Sequence, residues 1–150
     1  MEKLEALMGT LFTQKLPVLP DKVKSVIMQV LPWIFAAFGA LGFLSWITAV
    51  GLVNFSQMAA LKGSYILGYD VPLLGLIIFY ALVPLSQILI MAGGYYMLGR
   101  RLKGWRLAVL ATLISLTINA LYVYAFGVVW DVLVLYALQQ IKELYPKTGV

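Results

Sequence analysis

Most of the side chains that could do chemistry in this chain follow one helical stripe. The stripe consists of polar residues spaced three, four and three positions apart, which places them on one face of a helix: Thr112, Ser115, Asn119 and Tyr122. In an apolar environment the amide of Asn119 needs hydrogen-bond partners. The stripe therefore predicts either a contact that holds helices together or the lining of a small polar cavity.

Three further polar or helix-distorting residues interrupt long apolar runs. Pro84 lacks a backbone N–H and clashes with the carbonyl one turn earlier, which predicts a kink. Gln87 follows within one turn, so the kink and the amide either open a small polar pocket or form a locally satisfied bend. Asp131 has two possible roles. It is predicted either to couple transport to proton or ion movement, as acids inside membrane helices do, or to be an anion at a helix start, where the helix dipole stabilises negative charge.

The residue types exclude much familiar chemistry. The chain has no cysteine and no histidine. Thiol catalysis, disulfides and thiolate metal sites are therefore excluded, and the commonest general base and metal ligand is missing. The remaining Ser, Thr, Tyr and Asp residues show no spacing typical of a catalytic dyad or triad. We expect a protein without catalytic residues, metal site or cofactor.

The composition predicts an integral membrane protein. Of the 150 residues, 63% are hydrophobic and only 11% are charged. An average soluble domain has about 45–50% apolar and about 25% charged residues. A chain of this size has too much surface to hide such an apolar excess in a core. We therefore expect an all-α fold, an integral membrane four-helix bundle with an N-terminal amphipathic interfacial helix.

The charged residues divide the chain into four predicted spans. A membrane-spanning helix needs about 20 mostly apolar residues. The uncharged runs predict a transmembrane domain over 31–145, followed by a short cytoplasmic tail over 146–150. Its four spans are placed at about 31–54, 72–98, 104–124 and 128–144. A tight turn near 125–127 separates the last two, so Asp131 is expected in the first turn of the fourth helix.

The segment over 1–30 is predicted to lie at the cytoplasmic membrane surface. Its first part repeats apolar residues with helical spacing, at Leu4, Leu7, Met8, Leu11 and Phe12. Pro17 and Pro20 end this stripe, and Asp21 is placed to cap a second short amphipathic turn. The amphipathic helix is expected either to rest on the lipid surface or to dock onto a partner.

Lysine and arginine residues predict that both termini are cytoplasmic. With four spans, ten of these cations fall inside and only Lys62 falls outside. A bacterial inner membrane is the expected location. The cations stand at helix ends, where anionic lipid attracts them, so nucleic acid is not expected as a partner. Aromatic residues are predicted to mark the two interfaces, with Trp33 and Trp105 on the inner side and Tyr122, Tyr124 and Trp130 on the outer side.

The last 50 residues contain three sequence patterns that carry a resemblance. They are Lys103-Gly104-Trp105 opening a helix, the run Leu113–Leu116 with its serine, and the ending Leu138-Gln139-Gln140-Ile141-Lys142 with Tyr145. In these the chain resembles small, uncharacterised bacterial membrane proteins with four transmembrane helices. The resemblance implies a fold and carries no activity.

The expected function is that of a non-enzymatic scaffold or accessory subunit. Small residues in the first span, and Gly93 and Gly94 in the second, predict close helix contacts within the bundle or between copies. The expected partners are the lipid bilayer and either further copies of the chain or another membrane protein. The alternative is an oligomeric transporter or channel for a small neutral or lipid-like solute, built around Asn119 and the Pro84 kink. Enzymatic activity is the third hypothesis.

Overall fold

The computed structural model describes residues 17–52, 65–66, 69–70, 75 and 78–146. Within these residues the chain forms four main helices: α1 (Asp21–Leu52), α2 (Val83–Leu98), α3 (Leu102–Leu121) and α4 (Ala125–Ile141). A π-helical turn, Ile78–Leu82, precedes α2, and a 3₁₀ turn, Lys142–Leu144, follows α4. Two short strands, β1 (Tyr65–Ile66) and β2 (Tyr69–Asp70), pair in antiparallel register. The predicted amphipathic stripe over 1–14 lies outside the described residues.

Helix α1 is longer than the predicted first span. It begins at Asp21, where the carbonyl of Pro20 accepts hydrogen bonds from the N–H groups of Val23 and Lys24 at 2.9 and 3.0 Å. The predicted short amphipathic turn and the predicted span are therefore one continuous helix of 32 residues. At 1.5 Å per residue it measures about 48 Å, which exceeds the roughly 30 Å of a hydrocarbon core.

Helix α2 begins at the site of the predicted kink. Pro84 is buried at the start of the α-helix, directly after the π-helical turn. The helical register therefore changes from π to α within two residues of the proline. Leu82, the residue before α2, has a φ of −76° and a ψ of −38°, so the chain stays helical through Pro84. The π-helical turn lies where the missing N–H of the proline interrupts the α-helical hydrogen bonds.

Two adjacent glycines make α2 the central helix. A Cβ atom built on Gly94 would lie 2.5 Å from the backbone nitrogen of Ala36 and 2.6 Å from the carbonyl oxygen of Pro32, both in α1. A Cβ atom on Gly93 would lie 2.9 Å from the backbone nitrogen of Ala108 in α3. The two glycines therefore bring α1 and α3 into close backbone contact on two sides of α2.

The contacts arrange the four helices up, down, up and down. Along α1, Ala36 lies opposite Gly94 and Gly42 lies opposite Gln87, so α1 and α2 run antiparallel. A Cβ atom on Gly104 would lie within 2.8 Å of the carbonyl oxygen of Gly93, which places the start of α3 beside the end of α2. The predicted small-residue contacts at these positions are thus found inside the bundle.

The apolar core lies at the end of the bundle where α2 ends and α3 begins. Its buried members come from α1, α2, α3, α4 and the segment after α4: Phe35, Met97, Trp105, Ala108, Val109, Leu135, Leu138, Ile141 and Tyr145. Trp105 is completely buried, although the sequence predicted it at a membrane interface. Its indole N–H donates to the carbonyl oxygen of Leu138 at 2.7 Å. That carbonyl belongs to the last turn of α4, where the N–H of Lys142 donates to the carbonyl oxygen of Gln139, so Trp105 supplies a side-chain donor to the end of the helix.

Large apolar side chains also cover the outside of the described structure. On α1 they follow the whole length of one face, from Val23 through Trp33, Phe38, Leu41 and Leu44 to Ile47. On α4 they include Phe126, Val129, Trp130 and Leu133. Among the described residues, four helices are long and apolar enough to cross a membrane by length and composition: Asp21–Val50, Tyr80–Leu98, Leu102–Leu121 and Ala125–Leu144.

Replacing Gly104 with alanine is expected to destabilise the bundle. The new Cβ atom would lie 2.7 Å from the carbonyl carbon of Tyr96 and 2.8 Å from the carbonyl oxygen of Gly93, and neither backbone atom can rotate away. We expect a loss of about 1–3 kcal/mol in the free energy of unfolding, as overpacked cores show. Thermal or denaturant unfolding of the protein in detergent micelles measures it.

Gly99→Ala is the matched control. Its nearest neighbour would be the carbonyl oxygen of Tyr96 at 3.5 Å, which is an ordinary contact. We expect a change within about 0.5 kcal/mol. Equal stabilities of the two variants would contradict the close packing of α2 on α3.

Candidate functional site

The structure brings three of the six candidate polar residues together at the α3–α4 hairpin. The side-chain amide nitrogen of Asn119 donates to Oδ2 of Asp131 at 2.8 Å. The same nitrogen lies 3.4 Å from the hydroxyl oxygen of Ser115, one turn earlier in α3. An amide nitrogen carries two hydrogens, so both contacts can form at once. We call Ser115, Asn119 and Asp131 the hairpin cluster.

Asp131 lies deeper in its helix than the sequence predicted. Helix α4 begins at Ala125, so Asp131 stands in the second turn and not in the first. The prediction that Asp131 lies in the first turn of α4, where the helix dipole would stabilise its charge, is therefore wrong. Asp131 is only 6% exposed, and its stabilising partner is the amide of Asn119.

Gly127 makes room for the side chain of Asn119. A Cβ atom on Gly127 would lie 2.6 Å from Cγ and 2.7 Å from Nδ2 of Asn119. Gly127 and Asp131 are four residues apart and lie on one face of α4. The Asn119 side chain therefore occupies the space that a side chain at residue 127 would fill, and from there it reaches the carboxylate of Asp131.

The turn between α3 and α4 determines which residues of the two helices lie opposite each other in the hairpin cluster. The turn is formed by Tyr122, Val123 and Tyr124, and Val123 adopts a φ of 54°, in the left-handed region. The N–H of Tyr124 donates to the carbonyl oxygen of Asn119 at 2.8 Å. Asn119 therefore holds the hairpin twice, through its backbone carbonyl to the turn and through its side chain to α4.

The other candidate residues lie apart from the hairpin cluster. Thr112 is buried in α3 and donates to the carbonyl oxygen of Ala108 in its own helix at 2.8 Å. Tyr122 is exposed at the end of α3. The side-chain amide of Gln87 packs against Gly42 of α1. Gln87 and Asn119 therefore serve two different helix contacts, α1 with α2 and α3 with α4.

A second group of polar residues lies at the opposite end of the bundle. Gln140 is buried, and its side-chain carbonyl oxygen accepts a hydrogen bond from the backbone N–H of Leu19 at 3.2 Å. The hydroxyl of Tyr136 donates to the carbonyl oxygen of Pro17. These bonds attach the segment before α1 to α4 and help to close the bundle between its first and last helices.

Three buried polar atoms in this region have no hydrogen-bond partner among the described residues. They are Oε1 of Gln139, Nε2 of Gln140 and the hydroxyl oxygen of Tyr145. Burial raises the pKa of the Tyr145 phenol to about 12, and the charge of Arg100 opposes part of that rise. The sequence analysis did not name these residues as site candidates, although two successive glutamines in an apolar helix indicate amides that need hydrogen-bond partners when buried.

The hairpin cluster suits structural hydrogen bonding better than catalysis. It combines one carboxylate, one amide and one hydroxyl, and the carboxylate is already bound by the amide. In the described part of the chain no group of three or more His, Cys, Asp or Glu residues could hold a metal ion. What the cluster does supply is a second polar link between α3 and α4, in addition to the hydrogen bond from Trp105 to the carbonyl oxygen of Leu138.

Comparison of the chain with protein-family models, with curated proteins and with solved structures finds no match.

A double-mutant cycle is expected to detect the link between Asn119 and Asp131. Asn119→Ala leaves a buried carboxylate without its donor, and Asp131→Ala leaves the amide without its acceptor. We expect the two changes to be non-additive in the free energy of unfolding, with a coupling between about 0.6 and about 1.7 kcal/mol, which are the average and the maximum found for polar pairs between membrane helices. Unfolding of the four proteins in detergent micelles gives the coupling energy.

Thr117→Val is the control for removing a polar side chain from α3 that does not contact α4. Thr117 is exposed and bonds only to the carbonyl oxygen of Leu113 in its own helix. Combined with Asp131→Ala, it is expected to be additive within about 0.5 kcal/mol. Additivity of Asn119→Ala with Asp131→Ala would show that the hairpin cluster does not link the helices.

Proposed function

We propose that the chain is an integral membrane protein whose four helices cross the bilayer. The support is the length and apolar composition of the four helices together with the large apolar side chains on their outer faces. In water such a surface would be an aggregation hazard, whereas lipid solvates it. A bacterial inner membrane remains the proposed location, and the resemblance to small bacterial four-helix membrane proteins remains a proposal with it.

The distribution of cations supports cytoplasmic termini. We call the end where α1 and α3 begin and α2 and α4 end the basic end. It carries these described cations: Lys22, Lys24, Arg100, Arg101, Lys103, Arg106 and Lys142. At the other end, the described residues 43–52, 78–90 and 112–134 include no lysine or arginine. An even number of spans with the basic end inside agrees with the bias of lysine and arginine toward the cytoplasm.

The proposed activity is that of a scaffold or accessory subunit, without enzymatic chemistry. The observation that carries it is the outward face of α1. Only 17% of the most apolar stretch of α1 is buried, against 44% for the last span. One face of α1 packs on α2 through Gly39 and Gly42, and the opposite face is exposed from Val23 to Ile47.

The partner is proposed to be a second copy of the chain or another membrane protein. The glycines that suit close helix contacts are already used between α1 and α2. A partner would therefore meet large side chains, among them Phe38, Leu41 and Leu44. Contacts of this kind gain their energy from dispersion and shape, since lipid is as apolar as the helices.

A transporter or channel for a small neutral or lipid-like solute is the second candidate. The burial of Asp131 in the second turn of α4 favours it, because acids inside membrane helices often mark solute or proton paths. Against it, the amide of Gln87 packs against Gly42 of α1, whereas the amide of Asn119 is held by Asp131 and Ser115 at the α3–α4 hairpin. The hairpin cluster therefore favours the scaffold.

Cysteine crosslinking tests the proposed scaffold. The chain has no cysteine, so a single Leu41→Cys variant places one thiol on the open face of α1, where Leu41 is 60% exposed. In native membranes we expect oxidation to join the thiols of two copies in a disulfide, which gives an adduct of twice the 16.6 kDa of the chain. A different membrane protein that presents a cysteine at this face would instead give an adduct of another mass. Gel electrophoresis without reductant detects either product.

Leu133→Cys is the matched control, with a similar exposure of 54% on α4. It is expected to give no specific adduct, because the proposed partner surface is on α1. Absence of any adduct from Leu41→Cys, together with a monomeric mass in lipid nanodiscs, would rule out the scaffold.

A further inference from the structure

A cleft opens at the basic end between α1 and the end of α2. Its volume is about 360 Å³. Nine residues line it, five from α1, three from α2 and the turn that follows it, and one from the 3₁₀ turn: Ser25, Met28, Gln29, Pro32, Trp33, Met97, Leu98, Arg100 and Leu144. None of the six candidate polar residues lines the cleft, so the cleft is a separate feature.

The lining changes from polar to apolar along α1. Ser25 and Gln29 are one turn apart near the start of the helix, and Pro32 and Trp33 follow in the next turn. At 1.5 Å per residue, the step from Ser25 to Trp33 is about 12 Å. A phospholipid changes over a similar distance from its phosphate to the first part of its acyl chains. The cleft therefore matches a lipid in polarity along its length.

Arg100 places a positive charge on the cleft. It stands in the turn between α2 and α3 with a φ of 52°, a conformation that glycine adopts more easily. The N–H of Arg100 donates to the carbonyl oxygen of Met97 at 2.9 Å, which fixes the residue against the end of α2. The N–H of Arg101 also donates to the carbonyl oxygen of Tyr96 at 3.1 Å, so Arg100 occupies the left-handed position that commonly ends an α-helix.

The surroundings of the cleft are strongly positive. The basic end carries the seven cations named above against two described acids, Asp21 and Glu143. Asp21 lies 3.8 Å from the ammonium group of Lys24 and so offsets charge on α1 and not on Arg100. Basic pockets between helices on the cytoplasmic side of membrane proteins bind anionic headgroups. A phosphate group is the anion that a guanidinium recognises best through paired hydrogen bonds.

We propose that this cleft binds an anionic phospholipid of the cytoplasmic leaflet through its phosphate. The guanidinium of Arg100 contacts the phosphate oxygens, and the amide of Gln29 supplies a neutral donor. Met28, Trp33, Leu98 and Leu144 contact the glycerol and the first part of an acyl chain. Free phosphate would leave this apolar wall uncovered, so the lipid is the favoured source of the anion. The proposal rests on the membrane insertion proposed above.

Competition for retained lipid tests the proposal. The full-length protein is reconstituted in nanodiscs of mixed phosphatidylglycerol and phosphatidylcholine and then transferred to detergent. Native mass spectrometry compares how much of each lipid stays bound. We expect a preference for phosphatidylglycerol that falls about tenfold in Arg100→Asn, the size of a charge-assisted hydrogen bond.

Arg101→Asn is the matched control, because it removes the same charge from the neighbouring residue, which does not line the cleft. Asparagine tolerates the left-handed conformation of residue 100, so Arg100→Asn keeps the turn and the fold. An unchanged preference in Arg100→Asn, or an equal fall in Arg101→Asn, would overturn the proposal. Displacement of the lipid by millimolar inorganic phosphate would identify a free-phosphate site and overturn the lipid as ligand.

The two proposals fail in different ways. If the chain is not a membrane protein, it does not enter nanodiscs and stays in solution without detergent. If the chain enters nanodiscs but the cleft does not select anionic lipid, only the further proposal fails. The crosslinking of α1 is independent of either lipid result.

Discussion

The close approach of three helices at Gly93 and Gly94 is the constraint on which the rest of the structure depends. The backbone of α1 stands where a side chain of residue 94 would be, and the backbone of α3 stands where a side chain of residue 93 would be. This puts α2 in the middle and fixes the order of the first three helices. Helix α4 then completes the core against α3, where Trp105 bonds to the carbonyl oxygen of Leu138. Because the glycines are used internally, the outer surface is left to large apolar side chains.

The sequence predicted the number and type of the helices better than their ends. Long apolar runs are decided by solvation, which the residue types report directly. The start of α4 was predicted three residues too late, because Gly127 was taken as a turn former. In the structure Gly127 lies inside the helix and its missing side chain accommodates Asn119. The missing Cβ atom suits glycine both to a turn and to a close contact inside a helix, so the sequence alone does not distinguish these two roles.

The hairpin cluster was predictable only in part. The spacing of Ser115 and Asn119 put them on one face, and burial of an amide required a partner. That the partner is Asp131 depends on how α3 and α4 are aligned, which the turn over Tyr122, Val123 and Tyr124 sets. Thr112 and Tyr122 share the stripe, but Thr112 lies about one turn before Ser115 and Tyr122 follows the last residue of α3. Trp105 was assigned to an interface because it stands near the boundary of a predicted span, yet packing against α4 buries it.

Cysteine accessibility measures the central claim, that the chain crosses a membrane with its basic end on one side and the α3–α4 turn on the other. Because the chain lacks cysteine, Lys22→Cys, Val123→Cys and Glu143→Cys each place one thiol at an exposed position. In sealed, right-side-out vesicles, a membrane-impermeant maleimide should label residue 123 alone. In inverted vesicles it should label residues 22 and 143 alone. Labelling of all three thiols from the same side, or labelling of 22 and 143 from opposite sides, would contradict the account.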